Sequence, residues 1–366
     1  MMKVSRWNSG RLWAGVFFLL VIGCTGPSAD DGASDVRAEK AASAAGQAEP
    51  AASERANSGK AVSDKNTARQ EAVPEGPFLR VLGTAQDGGL PHASCSCERC
   101  DAARQDPARR RAVASLALVL PGTEGRRLFL IDASPDVRQQ LDRLTDLRPR
   151  PADRVLRSPV DGVFLTHAHI GHYLGLAFFG FEAVHTQGLP VWGTARMRVF
   201  LENHGPWSQL VEFGNIAPRV IPDEGVDLGD VRVEALKVPH RDEFTDTVAY
   251  RLVGPSQRVL YVPDTDAWST WDPPFLEVLS SVDIALLDGT FYSLDELPGR
   301  SISQVKHPLI TTSMDLLQER VDRGELEVYF THLNHSNPAL DPESEASREI
   351  LRRSYFVLDE GQTLSL

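Results

Sequence analysis

The sequence predicts an α/β fold in which two sheets pack face to face with helices outside. Short apolar runs of strand character first follow one another and then alternate with stretches of helical periodicity. No self-similarity recurs at the periods of solenoids or propellers. The composition also changes sharply at Pro77, which places the folded domain at 77–366. The chain has 366 residues, 42% of them hydrophobic, enough for one sizeable core. Its formal net charge of -12 argues against a nucleic-acid partner, because phosphate contacts need a basic surface.

Residues 1–24 read as a targeting segment rather than as fold. Lys3, Arg6 and Arg11 form a positive start, and the apolar run from Leu12 to Ile22 is too short to span a bilayer. The run ends in Val21-Ile22-Gly23-Cys24, which resembles a bacterial lipobox. That resemblance implies lipidation of Cys24 and a lipid-anchored membrane lipoprotein of the bacterial cell envelope. The competing reading is a plain secretory signal with an incidental cysteine. Residues 25–76 contain no aromatic, Leu, Ile or Met. Such a segment cannot bury enough apolar area to offset its ordering entropy, so a disordered linker is expected.

From Phe78 the elements follow in order. Phe78-Leu-Arg-Val-Leu-Gly reads as a strand entering a glycine turn, and Gly88-Gly89 makes a second turn. Further strands are expected at 113–120, 127–132, 161–166, 231–238, 247–253, 258–263, 283–287 and 327–331. Helical patterns fall near 135–145, 173–186, 195–204, 274–281 and 311–322.

The strand Val163-Phe-Leu-Thr runs into His167-Ala-His169-Ile-Gly171-His172. Three clustered imidazoles repel one another when protonated and lack a natural partner when neutral, and a bound cation resolves both problems. The block resembles the His-x-His-x-Asp-His signature of the metallo-β-lactamase superfamily. Matches to the other family motifs follow in order at strand ends. Asp132 in Phe129-Leu-Ile-Asp resembles the supporting aspartate, and His240 in Val238-Pro-His the third-motif histidine. Asp264 in Tyr261-Val-Pro-Asp resembles the bridging carboxylate, and His332 in Phe330-Thr-His the last ligand. The resemblance covers residues 78–366 and implies a four-layer αββα sandwich. It further implies one or two catalytic metals, zinc first with iron or manganese possible, held by His167, His169, His172, His240, Asp264 and His332. Asp264 would orient a metal-activated water for hydrolysis of a small-molecule substrate. One position departs from the family: Gly171 stands where the signature has Asp. By analogy the second metal, on His172, Asp264 and His332, is one protein ligand short, which implies a site that is weaker, empty, or completed by water or by a carboxylate such as Asp266.

Cys95-Ser-Cys97-Glu-Arg-Cys100 follows the Gly88-Gly89 turn. Three thiolates and one histidine suit a tetrahedral structural zinc, and a Cys97–Cys100 disulfide is the alternative. The cluster resembles that of the pyrroloquinoline quinone (PQQ) biosynthesis protein B branch and of the phosphonate-pathway cyclic phosphodiesterase branch. In those, a histidine just after the last-motif histidine completes the set. His335 stands at that position here, with His92 as a local competitor. His307 matches a region where related phosphodiesterases place a leaving-group acid, and a surface histidine is the plainer reading. Trp207, Trp268 and Trp271 read as core before pocket wall, and Arg300 as solvated before substrate-binding. His185 and His204 receive no role. The expected function is therefore a metal-dependent hydrolase, in particular a phosphodiesterase. The alternatives are a PQQ protein B-like factor in cofactor maturation or transport, and a non-catalytic metal-binding lipoprotein.

Overall fold

The computed structural model describes residues 73–297, 299, 301 and 304–366. The targeting segment, Cys24, nearly all of the expected linker and Arg300 lie outside the described residues. Among the described residues, fourteen strands form two seven-stranded sheets. The first sheet has β1 (Phe78–Gly83), β2 (Ser115–Leu120), β3 (Arg127–Ile131), β4 (Gly162–Phe164), β5 (Leu189–Gly193) and β6 (Ile216–Val220). The second has β7 (Val226–Asp227), β8 (Arg232–Val238), β9 (Thr247–Val253), β10 (Arg258–Val262), β11 (Ile284–Asp288), β12 (Glu327–Thr331) and β13 (Phe356–Val357). The chain then returns as β14 (Thr363–Ser365) to the edge of the first sheet beside β1.

Alternation along the strands builds the layers. In β1, Leu79 and Val81 face the second sheet while Phe78 and Leu82 face outward. In β10, Val259 and Tyr261 face inward while Leu260 and Val262 face outward. Both faces of each sheet are thus apolar, which requires cover on both sides. Helices supply it. The first sheet is covered by α2 (Val137–Asp142), α4 (Ala195–Asn203) and α5 (Trp207–Glu212), through Val137, Met197, Phe200 and Trp207. The second is covered by α6 (Phe275–Leu279), α7 (Ile310–Asp322) and α8 (Glu345–Arg352). α1 (Glu98–Gln105) lies in the cysteine loop, and α3 (Ile170–Tyr173) is a single turn that carries Gly171 and His172 of the histidine motif. The fold is the αββα sandwich that the sequence implied. Among the described residues no helix is long and apolar enough to cross a membrane.

Every expected strand is present. The helix expected over 173–186 is not one helix: α3 passes into a 3₁₀ turn, Leu174–Phe179, and then into turns. At Gly175 a side chain would meet the Ser134 carbonyl oxygen at 2.1 Å, so the segment lies too close to the end of β3 for a regular helix with side chains all round. Strands β5 and β6 escaped the sequence reading because Pro190 and Pro218 interrupt their strand pattern.

Candidate metal centre

Strand direction gathers the site. β1, β3 and β4 run parallel in the first sheet, as β8, β10, β11 and β12 do in the second. Their C-terminal ends therefore meet along one edge. β3 delivers Asp132, β4 the 167–172 histidines, β8 His240, β10 Asp264, β11 Asp288 and β12 His332. The histidine loop is stitched to the second sheet. Val248 N–H donates to the Thr166 carbonyl (3.0 Å), Ala168 N–H to Thr245 Oγ1 (2.9 Å) and the Tyr250 hydroxyl to the Leu165 carbonyl (2.5 Å).

Each imidazole has one nitrogen held from outside. The Thr166 hydroxyl donates to Asp132 and so accepts from His167 Nδ1 at 3.0 Å. His172 Nδ1 donates to Asp132 Oδ2 at 2.7 Å. His240 Nδ1 donates to Asp266 Oδ1 at 3.3 Å, and His169 Nε2 to Glu243 Oε2 at 2.9 Å. The Thr290 hydroxyl donates to Asp288 Oδ1 and accepts from His332 Nδ1 at 3.0 Å. These partners fix the tautomers, and the five remaining ring nitrogens are left as lone pairs.

Those lone pairs face one another. His167 Nε2 is 2.9 Å from His169 Nδ1, and His240 Nε2 is 3.3 Å from the same atom. Asp264 Oδ2 lies 3.3 Å from His167 Nε2 and 3.0 Å from His240 Nε2. The ligand atoms of His167, His169, His240 and Asp264 all fall within 4.8 Å of one another. Two nitrogens on one tetrahedral zinc at ~2.0–2.1 Å sit about 3.3 Å apart, so the spacing fits a single cation. A second group is Asp87, His172 and His332. His172 Nε2, His332 Nε2, Asp87 Oδ1 and Asp264 Oδ1 are all buried without a hydrogen-bond partner. Buried acceptors without a donor are costly, and a divalent cation satisfies them. The donor set of this structure therefore fits metal.

Burial and charge pull the histidines apart. Burial, with the neighbouring His172 charge, holds His167 well below its ordinary value, and burial lowers His332. At His172 burial opposes the charge, but Asp132, Asp87 and Asp264 outweigh it and push the ring up to about 9. His307 is likewise pushed up to about 9, as Asp288, Asp264 and Asp266 overcome burial. Asp264 is held well below the carboxylate range by His167, His169 and His240, against its burial.

The structure brings together all six expected ligands and places Asp132 as their support. It corrects the expectation for Asp266, which holds His240 from outside instead of reaching the His172 side. His307 enters the site, its Nδ1 2.9 Å from Asp288 Oδ2 and 3.3 Å from Asp264 Oδ1, so a surface role is excluded. Trp207, Trp268 and Trp271 are core residues. Sequence reading missed Asp87, Glu243 and Asp288. Asp288 ends a strand, as Asp132 does, and that was its one available signal.

In the cysteine loop, Cys95 Sγ, Cys97 Sγ and one nitrogen of His335 lie within 4.8 Å of one another. Cys100 is buried beside them, its Sγ accepting the His92 N–H at 3.3 Å and interacting with both other sulfurs. Burial pushes the Cys100 thiol up to about 11. At Cys97 burial acts the same way but is outweighed by the N–H groups of Cys100 and Arg99 and by the adjacent sulfurs, which lower it. All three thiols are free, so the disulfide alternative is not realised. His335 Nδ1 is buried without a partner, whereas His92 Nδ1 lies 3.0 Å from the Ala93 carbonyl. His335 is therefore the better-placed fourth group, its ring centroid 4.4 Å from that of His92 and tilted by 43° to it.

Residues 127–344 match the Beta-lactamase superfamily domain. Coenzyme PQQ synthesis protein B of Cupriavidus necator is 27% identical over 311 residues, covering 79% of this chain and 99% of the relative. That of a Methylobacterium species is 29% identical over 305 residues, covering 78% and 99%. Among solved structures, Zn(2+)-bound PqqB from Methylobacterium extorquens superposes with a TM-score of 0.65 at 23% identity, covering 79% of this chain and all of that one. A diphosphatase from the PhnP family superposes with a TM-score of 0.55 at 21% identity, covering 79% and 96%. At these identities the structural likenesses speak to the fold.

Proposed function

This chain belongs to the metallo-β-lactamase superfamily, and from that premise we propose that it is a metal-dependent hydrolase of phosphodiester or related ester bonds. The observation that carries the proposal is the set of five imidazole lone pairs facing Asp264 and Asp87, each fixed by an outer partner. His167, His169, His240 and Asp264 would hold one cation; His172, His332 and Asp264 belong to a second. A divalent ion there supplies Lewis acidity and brings the pKa of water toward ~7. Zinc suits the donors, and iron or manganese fits the same nitrogen and oxygen set.

The chain's own residues supply the rest. Asp264 Oδ1, without a hydrogen-bond donor, is free to accept from the attacking water and orient it. Asp288 engages His307 Nδ1, so the proton His307 can deliver to a leaving group is the one on Nε2. A groove of about 380 Å³, lined by Arg196, Phe200, His204, Glu243 and Phe244, adjoins the centre at Glu243 and offers room for a small substrate with an apolar part. Cys95, Cys97, Cys100 and His335 would hold a structural zinc. Lipidation of Cys24 would anchor the protein at a membrane of the bacterial envelope.

The second reading is a role in cofactor maturation, favoured by the full-length match to coenzyme PQQ synthesis protein B. Zinc-loaded protein assayed with bis(p-nitrophenyl) phosphate, p-nitrophenyl acetate and a chromogenic lactam separates the two. Turnover of any of these that is abolished by His240→Ala supports the hydrolase. Tight metal binding with no turnover on all three favours the second reading, or a purely metal-binding role.

A further inference from the structure

We infer that Asp87, on the loop after β1, is the missing carboxylate ligand of the second metal, standing in space for the side chain that Gly171 lacks. The inference rests on the two-metal reading above. A side chain built at Gly171 would begin 2.0 Å from Asp87 Oδ1 and 2.8 Å from its carboxyl carbon. The Asp87 carboxylate thus fills the volume into which a residue 171 side chain would project. It reaches the correct partners: Asp87 Oδ1 is 3.5 Å from His172 Nε2 and 3.9 Å from His332 Nε2. All three atoms are buried and without hydrogen-bond partners, and the two imidazole side chains are 0% exposed. A carboxylate oxygen and two ring nitrogens converge here with no hydrogen bond among them, and a shared cation would satisfy all three.

The loop is built to put Asp87 there. Leu333, next to His332, is bracketed by Thr84 and Gln86: Leu333 N–H donates to the Thr84 carbonyl and Gln86 N–H to the Leu333 carbonyl, both at 2.9 Å. The turn closes with Gly89 N–H donating to the Gln86 carbonyl at 2.7 Å, and Gly89 has a φ of 66°. The Asp87 Cα itself lies 3.0 Å from the position a Gly171 Cβ would take. The two positions are therefore exclusive: the loop can approach only where residue 171 has no side chain. The second site is complete in protein ligands, one of them delivered by a different strand.

Zinc titrated calorimetrically into the metal-free full chain, with bound zinc counted by plasma mass spectrometry, tests this. Wild type should bind three zinc ions per chain, one of them at the cysteines. Asp87→Ala should bind two. Gly171→Asp alone should lose zinc, because it collides with Asp87. Asp87→Asn, which keeps the shape, guards against misfolding of the alanine variant and should weaken one zinc at least tenfold. Three zinc ions in Asp87→Ala at wild-type affinity would overturn the inference while leaving the metal centre intact. Wild type that binds zinc only at the cysteines would sink the metal-centre reading itself.

Discussion

Replacing Asp132 by Asn alters one side-chain atom in a wholly buried network and should weaken the binding of a metal ion. Asp132 is 0% exposed and accepts from Thr166 N–H (2.8 Å), the Thr166 hydroxyl (2.9 Å to Oδ2) and His172 Nδ1 (2.7 Å). It has a φ of 65°, a conformation Asn tolerates well, so the backbone is undisturbed. The Asn oxygen can keep the Thr166 N–H. Its NH₂ group then faces the His172 Nδ1–H, donor against donor. The ring escapes by moving its proton to Nε2, the nitrogen that faces Asp87 and Asp264. That nitrogen can no longer bind metal. Loss of one charge-assisted hydrogen bond is worth about 1.5–3 kcal/mol of folding stability. Removing an outer partner of a metal-bound histidine typically costs ~10–100-fold in metal affinity, or about 1.4–2.8 kcal/mol. Calorimetric zinc titration gives the affinity, and guanidinium unfolding of the metal-free protein gives the stability. If Asp132→Asn binds every zinc with wild-type affinity, the tautomer argument is wrong.

Three further outcomes follow from other parts of the molecule. Cys97→Ser should remove one zinc and lower the melting temperature by several degrees with little change in turnover, since metal binding at that loop is folding energy; scanning calorimetry beside the hydrolysis assay checks both. His307→Ala should keep the full metal content and slow hydrolysis by ~10²–10⁴-fold, the range for a general acid, which steady-state kinetics with matched metal analysis will show. Cys24→Ala should move the protein from the membrane to the soluble fraction of the native host, and equal partitioning of wild type and variant would refute the lipid anchor.

Much of this site could be read from the sequence because its ligands sit at strand ends, where a run of alternating apolar residues stops at His or Asp. Val163–Thr166 before His167 and Phe330-Thr331 before His332 are such signals, and the structure places all of these residues at one edge. What escaped has no such punctuation. Asp87 lies four residues beyond β1, and its approach to His172 depends on loop packing against Leu333, nearly 250 positions away in the chain. Gly171 therefore looked like a missing ligand, when the structure shows its vacant side-chain volume filled from another strand. Glu243 follows no periodic element and meets His169 only because β8 and β9 turn back on each other. The same limit applied to the fold: β5 and β6 carry prolines that mask their pattern, while α8, with its charged sequence, buries only Ala346, Ser347 and Ile350. Cys100 shows the reverse case: its spacing suggested a ligand, and its burial beside Cys95 and Cys97 is consistent with that role.

The central claim is that facing lone pairs at one sheet edge exist to hold a catalytic cation. The most direct test measures metal content and hydrolysis on the same samples of wild type and His169→Ala. His169 Nδ1 lies 2.9 Å from His167 Nε2 and 3.3 Å from His240 Nε2, so its removal opens the first group. The account predicts one fewer metal ion per chain in His169→Ala and loss of turnover in the same proportion or beyond. Wild-type metal content in His169→Ala, or undiminished hydrolysis after that metal is lost, would contradict it.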